Sequence, residues 1–213
     1  MKSIAQIRKD YIMQSLDEKD MSSDPFEQFG RWWDNAIESN IEEVNAMTLA
    51  TADAEGRPSA RVVLLKGFDK NGFVFFTNYQ SRKGKELLEN PRACLVFYWK
   101  ELERQVRIEG TSCQLDEAGS DAYFASRPEG SRIGAWVSAQ SQVIESRRLL
   151  EDLQKEAENK FAGKEIPRPP HWGGYVVKPD LIEFWQGRSN RLHDRIVYKS
   201  DNSGNWNRER LAP

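Results

Sequence analysis

The sequence predicts an α+β fold, mainly β, in which a barrel of antiparallel strands is interrupted by one helical block. Three observations carry this. Five short β-branched or aromatic runs follow one another between Ala46 and Leu115, the middle third turns to helical spacing, and strand-like runs return after a proline-rich stretch. Strands, then helices, then strands is segregation rather than the alternation of a βαβ fold.

The elements follow in order. The first twenty residues are highly charged and thinly apolar, and they read as a loosely held arm (1–20) before a single domain over 21–213. Asp24-Pro25-Phe26-Glu27 supplies an N-cap, a proline at the first helical position and a capping acid. With Phe29, Trp32, Trp33, Ala36 and Ile37 on one stripe, it starts an amphipathic helix to about Asn40. AMTLATA, SARVVLLKGF and FVFFTN then read as a meander, and Asp69-Lys70-Asn71-Gly72 is the strongest short hairpin signal in the chain. Ser81 caps a short helix through Leu88, and ACLVFYW and RQVRIEGTSCQL add two strands. Helical segments follow near Glu117 to Ser126, Ser131 to Ala139 and Glu145 to Phe161. Ile166-Pro167-Arg168-Pro169-Pro170 reads as a stiff linker, after which YVVKP, LIEFWQ, RIVYKS and WNRERL complete the strands.

Composition excludes several classes. The 213 residues carry 31 Lys plus Arg against 33 Asp plus Glu, so the net charge of -2 argues against a general nucleic-acid binder. No run approaches the roughly 18 to 20 apolar residues of a membrane span, and the N-terminus lacks the apolar block of a secretory signal, which predicts a cytoplasmic protein with no membrane partner. Cys94 and Cys113 lie in strand-like runs without paired spacing and read as buried, reduced thiols. With only His171 and His193, a His-rich metal site is excluded and no metal is expected. GxGxxG, Walker, GxSxG and HExxH patterns are absent, which removes the dinucleotide, P-loop, α/β-hydrolase and zincin readings.

Distributed polarity remains, in four clusters that set basic or hydroxyl groups beside aromatic or glycine residues: Arg61 to Lys66, Ser81 to Lys85, Tyr123 to Ser131 and Trp185 to Arg195. Together they could hold phosphates and a flat ring. Arg61 and Lys66 at the ends of an apolar strand would ordinarily be solvated termini, and strand alternation puts them on opposite faces. Arg82 and Lys83 oppose the helix dipole unless an anion lies between them and the free N–H groups. Tyr123 and Arg127, one helical turn apart, suit either a common target or plain surface packing. His193 beside Asp194 reads equally as an ion pair.

These residues also carry a resemblance. RVVLLK, FFTNYQSRKGKEL, NPRACLVFYW, ERQVRIEG, YFASRPEGSRIGAWVSAQS, WGGY, IEFWQGRSNRLHDRIVY and the terminal RLAP closely resemble the motifs of the pyridoxine (pyridoxamine) 5′-phosphate oxidase family, in register from about Asp24 to Pro213. The resemblance implies an FMN-binding split β-barrel with flanking helices, a homodimer with FMN at the subunit interface, and oxidation of pyridoxine or pyridoxamine 5′-phosphate by O2. Position by position, it implies FMN contacts from Arg61, Val62, Val63, Leu64, Leu65 and Lys66, from Phe76, Thr77, Arg82 and Lys83, and from Gln105, Gln140, Ser141, Trp185 and Arg195. It implies a substrate phosphate held by Lys66, Tyr123, Arg127 and Ser131. Arg191, Leu192 and His193 would lie against the substrate ring, with Arg191 and His193 in the catalytic roles, and Arg8 and Tyr11 would belong to a lid. If Arg191 to Arg195 runs extended, Arg191, His193 and Arg195 share one face. Another split-barrel flavin enzyme, such as a flavin reductase, is the nearest alternative, against which the RLHDR and SRPEGS blocks argue. A non-catalytic flavin or pyridoxal phosphate carrier is the alternative from a different class.

Overall fold

The computed structural model of the chain describes residues 3–4, 10–201 and 203–213. Nine strands form one antiparallel sheet: β1 (Ala46–Ala52), β2 (Pro58–Leu64), β3 (Gly67–Asp69), β4 (Gly72–Asn78), β5 (Arg92–Trp99), β6 (Arg104–Gln114), β7 (Trp172–Gln186), β8 (Asp194–Ser200) and β9 (Trp206–Leu211). They run in the order β2-β1-β5-β6-β7-β4-β3, with β8 on β7 and β9 on β8. The helices are α1 (Pro25–Glu38), α2 (Arg82–Glu89), α3 (Glu117–Ser126), α4 (Glu129–Val137) and α5 (Arg147–Phe161).

β7 organises the barrel. Tyr175–Gln186 pair with β6, its first six residues pair with β4, and Leu181–Gln186 pair with β8. The change of partner coincides with a bulge between Glu109 and Gly110, opposite Pro179. Proline cannot donate to a ladder, and a bulge is where a strand can bend without losing its register. Gly110 permits the bend, because a Cβ there would lie 2.1 Å from the Lys178 carbonyl oxygen.

The amphipathic α1 fills the barrel. Its start is the one expected: the Asp24 carboxylate accepts from the backbone N–H groups of Phe26 and Glu27, and Pro25 opens the helix. Phe29 then reaches Phe68, Phe73 and Phe97 at ring-centroid distances of 4.8, 4.9 and 5.3 Å, and Trp32 meets Phe184 edge-on at 5.1 Å. A second, smaller core joins Phe124 of α3, Ile133 of α4 and Phe161 of α5 to Trp172, fixing the helical block against the start of β7.

Several expectations change in detail. SARVVLLKGF is two strands, because Leu65 dives into the core and its N–H bonds the Asn45 carbonyl rather than a strand partner. YVVKP and LIEFWQ are one strand. Ile166–Pro170 is a packed strap: Ile166 is buried, the Trp136 indole N–H donates to the Pro167 carbonyl at 2.8 Å, and Arg168 donates to Asp121 and to the Trp172 carbonyl. Cys113 is exposed and Cys94 half-buried, since the strand turns both outward from the aromatic core. Among the described residues no helix is long and apolar enough to cross a membrane.

Phe29 is fully buried where α1 meets three strands, β3, β4 and β5, and cannot be replaced by collapse of one neighbour. Phe29→Ala should cost about 3–5 kcal/mol, lowering Tm by roughly 6–20 °C for a chain of this size, as read by thermal unfolding followed by circular dichroism.

Candidate active site

A cavity of about 1010 Å³ opens between β2, β4, the start of α2 and the α3–α4 block. Five cations line it, Arg61, Lys66, Arg82, Lys83 and Arg127, and among the described residues no carboxylate does. Such an excess of one sign in a cleft selects anions.

One end of the cavity is built by β1, β2 and α2. Ser81 caps α2 by accepting from the Gly84 N–H. Gly84 is required for close approach, because a Cβ there would lie 2.2 Å from the Tyr79 carbonyl oxygen. Lys83 turns inward and is buried, its ammonium donating to Thr77 Oγ1 at 3.1 Å and to Gln140 Oε1 at 3.3 Å. Burial, and next the charge of Arg61, pushes the Lys83 pKa down. Arg61 and Arg82 converge on the buried carboxylate of Glu86, which lies behind the cavity wall. Burial alone would raise that carboxyl, but the bonds it accepts from Ser59, Thr51 and Arg82 outweigh burial and bring its pKa to about 2.

The other end is aromatic. Tyr123 stacks on Phe76 with ring centroids 3.9 Å apart, and Trp172 lies parallel to Phe76 at 5.4 Å. The Arg127 guanidinium sits 4.5 Å over the Trp172 ring. Burial lowers its pKa, and its buried Nη1 has no hydrogen-bond partner. An orphaned, buried N–H on a cation is costly unless a ligand oxygen meets it. Lys66 stands at the same end, its ammonium 6.0 Å from the Tyr123 ring centroid, and Ser131 completes the wall. Cations, hydroxyls and aromatic walls in one cleft fit a phosphorylated aromatic molecule, and the volume leaves room for two.

The candidate residues therefore divide. Arg61, Val62, Val63, Leu64, Lys66, Phe76, Thr77, Arg82, Lys83, Tyr123, Arg127, Ser131, Gln140 and Ser141 line this cavity. Leu65 does not: its side chain is in the core. Gln105, Trp185, Arg191, Leu192, His193 and Arg195 are also outside it. Trp185 pairs with both Gln105 and Arg195 at the far end of β7, eleven residues beyond Gly174, which pairs with Phe76. That is about 35 Å of extended chain. Arg8 lies outside the described residues.

This second group has its own architecture. The Trp185 and His193 rings lie 4.7 Å apart, with Tyr11 edge-on at 5.8 Å from each. The arm is tied down beside them: Glu103 accepts from the N–H groups of Ile12 and Met13 at 3.0 and 3.2 Å, and Asp194 accepts from Leu16 N–H at 3.0 Å. Gly187 makes room for Tyr11, whose Cγ would lie 2.8 Å from a Cβ at that position. His193 Nδ1 accepts from the Arg188 N–H at 3.1 Å. Arg195 is held by the buried Glu183 at 3.0 Å and 3.1 Å.

The extended reading of Arg191 to Arg195 is overturned. Ser189–Arg191 form a 3-10 turn in which Asn190 and Arg191 have φ of 57° and 62°, and β8 begins only at Asp194. Two successive non-glycine residues in the left-handed region store strain of the kind that collects at functional loops. The turn leaves Arg191 and Leu192 exposed and points them independently of Arg195. Sequence reasoning missed Glu86, Glu103 and Glu183. Only Glu86 left a trace, its i,i+4 spacing from Arg82.

Comparison with known proteins agrees with this geometry. A family model described as pyridoxamine 5′-phosphate oxidase matches residues 34–160, and one described as the pyridoxine 5′-phosphate oxidase C-terminal dimerisation region matches 172–213. The pyridoxine/pyridoxamine 5′-phosphate oxidase of Paraburkholderia phymatum is 59% identical over 213 residues, covering 100% of both chains. That of Trichormus variabilis is 56% identical, covering 100% of this chain and 99% of its own. The crystal structure of PhzG from Burkholderia lata in complex with tetrahydrophenazine-1-carboxylic acid superposes with a TM-score of 0.89 at 33% identity, over 95% of this chain and 99% of that one. Matched along its whole length and carrying the family's motifs at both ends of its barrel, the chain belongs to the pyridoxine/pyridoxamine 5′-phosphate oxidase family.

Proposed function

We propose that this chain is an FMN-dependent oxidase that converts pyridoxine 5′-phosphate or pyridoxamine 5′-phosphate to pyridoxal 5′-phosphate, acting as a cytoplasmic homodimer. The observation that carries the reading is the cavity with five cations, no lining carboxylate among the described residues and an unpartnered buried guanidinium N–H on Arg127. Arg61, Arg82 and Lys83 hold the FMN phosphate at the start of α2, where the free N–H groups of the helix add to their charge. Lys66, Tyr123, Arg127 and Ser131 hold the substrate phosphate, two cations and two hydroxyls for a dianion. When bound, FMN supplies a hydride acceptor for the substrate's C4′ carbon and passes the electrons to O2, giving H2O2.

The remaining roles belong to the second group, which we read as coming from the other protomer, a reading supported by the eleven residues of β7 between Gly174 and Trp185. A two-fold dimer brings the Trp185 end of one chain to the cavity of its partner and makes two equal sites. Exposed apolar side chains at Val62, Tyr98 and Leu192 support burial of these faces in such a contact. Arg191 clamps the substrate ring from the strained turn. With its Nδ1 lone pair taken by the Arg188 N–H, neutral His193 carries its proton on Nε2 and serves as a donor that orients substrate rather than as a base. Residues 1–20 act as the lid, with Tyr11 against Trp185 and His193. Alignment of C4′ against the flavin is then the protein's main contribution to rate.

Three outcomes test this. Arg82→Ala combined with Lys83→Ala should weaken FMN by a few kcal/mol, since each lost charge-assisted contact costs about 1.5–3 kcal/mol; fluorescence titration of the stripped protein reads it, and an unchanged Kd removes both residues from the site. Arg127→Ala should raise KM for pyridoxine 5′-phosphate far more than for unphosphorylated pyridoxine in oxygen-uptake assays, and equal losses would show that Arg127 does not read phosphate. At a pyridoxine 5′-phosphate concentration near the wild-type KM, co-expression of Arg127→Ala with Arg191→Met should give activity above that of either variant alone. Random pairing makes half the dimers mixed, each with one intact site, so recovery approaches about a quarter of wild type. Recovery no greater than the parents would place both residues in one chain's site.

A further inference from the structure

Glu86 is a buried carboxylate that the proposed chemistry does not use. It sits on α2, one turn after Arg82, and is 4% exposed. Its Oε1 accepts from Arg82 Nε at 2.8 Å. Its Oε2 accepts from Thr51 Oγ1 at 2.5 Å, from Ser59 Oγ at 2.6 Å and from Arg61 Nη2 at 3.3 Å. The two hydroxyls extend the network, because Thr51 Oγ1 accepts in turn from Arg61 Nη1 and Ser59 Oγ from Arg61 Nη2. One carboxylate thus fixes both guanidiniums directly, and one of them a second time through β1 and β2.

We propose that Glu86 is a positioning residue for the phosphate end of the cofactor site, holding Arg61 from β2 and Arg82 from α2 at the spacing and orientation that a phosphate needs. This rests on the reading that Arg61, Arg82 and Lys83 meet the FMN phosphate. The argument is one of competing effects. A carboxylate behind three cations lowers their attraction for an anion, so electrostatics alone disfavours it. Against that, two arginines on separate elements repel each other and splay when nothing holds them, and each guanidinium must lose side-chain freedom before it can bind. Glu86 faces both, from the side away from the cavity, and leaves Arg82 63% exposed at its outer end, available to a ligand. Lys83 does not share the carboxylate and is held separately by Thr77 and Gln140.

The test is flavin titration of the full-length, stripped protein by fluorescence quenching, with FMN and with riboflavin, which has the same ring and no phosphate. Glu86→Gln keeps the shape but offers one acceptor oxygen in place of two, so one arginine is released. FMN affinity should fall about 10- to 100-fold, as for loss of a charge-assisted contact, while riboflavin affinity stays within about twofold. In Arg82→Ala, adding Glu86→Gln should cost less than it does in wild type. Thr51→Val, which removes one hydroxyl from the Arg61 network, should weaken FMN in the same direction by less, and serves if Glu86→Gln does not fold. Equal weakening of FMN and riboflavin would overturn the proposal in favour of a stitch between α2 and the sheet. Tighter FMN binding would overturn it in favour of simple charge. If Arg82→Ala and Lys83→Ala leave FMN affinity intact, the phosphate assignment itself falls and takes the proposal with it; if they weaken it while Glu86→Gln does not, the assignment stands and the proposal alone fails.

Discussion

The structure depends on one strand that is too long for a single role. β7 runs fifteen residues, from Trp172 to Gln186. It pairs with β4 at one end and with β8 at the other while β6 follows it from Tyr175 onward. Because the ladder fixes register, Phe76 and Thr77 are bound to the first end and Gln105 and Arg195 to the second, and no local adjustment brings them together. The bulge at Gly110 and the proline opposite it let the sheet curl into a barrel around α1 without breaking this register. The separation of the two residue groups is thus a consequence of strand pairing.

The cavity end of β7 carries the electrostatic consequence. Five cations in one cleft would be unstable neighbours in a dry interior, and the fold handles them unequally. Lys83 is buried and bonded only to neutral oxygens, and its pKa falls. Arg127 is laid on Trp172, where the ring face offers a weak counter-charge, yet one of its N–H groups is left unmet. Arg61 and Arg82 share Glu86. Stability would be better served by apolar residues or by more carboxylates at these places. Such local costs are ordinarily kept where a ligand repays them.

How much of this was legible follows from which forces act along the chain and which act across it. The α1 cap, the Lys70-Asn71 hairpin and α3 from Glu117 to Ser126 were readable because capping, turn chemistry and periodicity are local. The conflict of Arg82 and Lys83 with the helix dipole pointed to an anion for the same reason. The break at Leu65, the continuity of β7 through Pro179 and the packing of Ile166–Pro170 were not readable. Each is decided by a partner far away: Asn45 for the first, β6 for the second, Trp136 and Asp121 for the third. The resemblance carried both groups of residues but not their separation, since motifs align in one dimension. Glu103 left no signal at all, because its role is to accept two backbone N–H groups from a segment ninety residues earlier.

The turn at Asn190 and Arg191 shows why the second residue group is built with strain rather than as a simple strand. An extended run from Arg191 to Arg195 would have put three bases on one face and bound all of them to the rigidity of β8. The left-handed turn instead separates them. Arg195 stays in the ladder, neutralised by Glu183, whose carboxyl burial would raise but which its bonds from Arg195 and Arg107 hold below the usual range. Arg191 is lifted clear of the sheet, and His193 is locked by a backbone N–H that sets its tautomer. Such a turn, costing on the order of 1–3 kcal/mol per left-handed residue, persists only because its surroundings over-determine it. The Gly187 N–H bonds the Glu103 carbonyl at 2.8 Å, Ser189 Oγ donates to the Tyr11 carbonyl at 3.3 Å, and Asp194 is held by Arg210 and by the Leu16 N–H. Two of these bonds, from Ser189 to Tyr11 and from Leu16 to Asp194, also dock the arm. Loop geometry and arm position are therefore one equilibrium, and a change that frees the arm also relaxes the turn that presents Arg191.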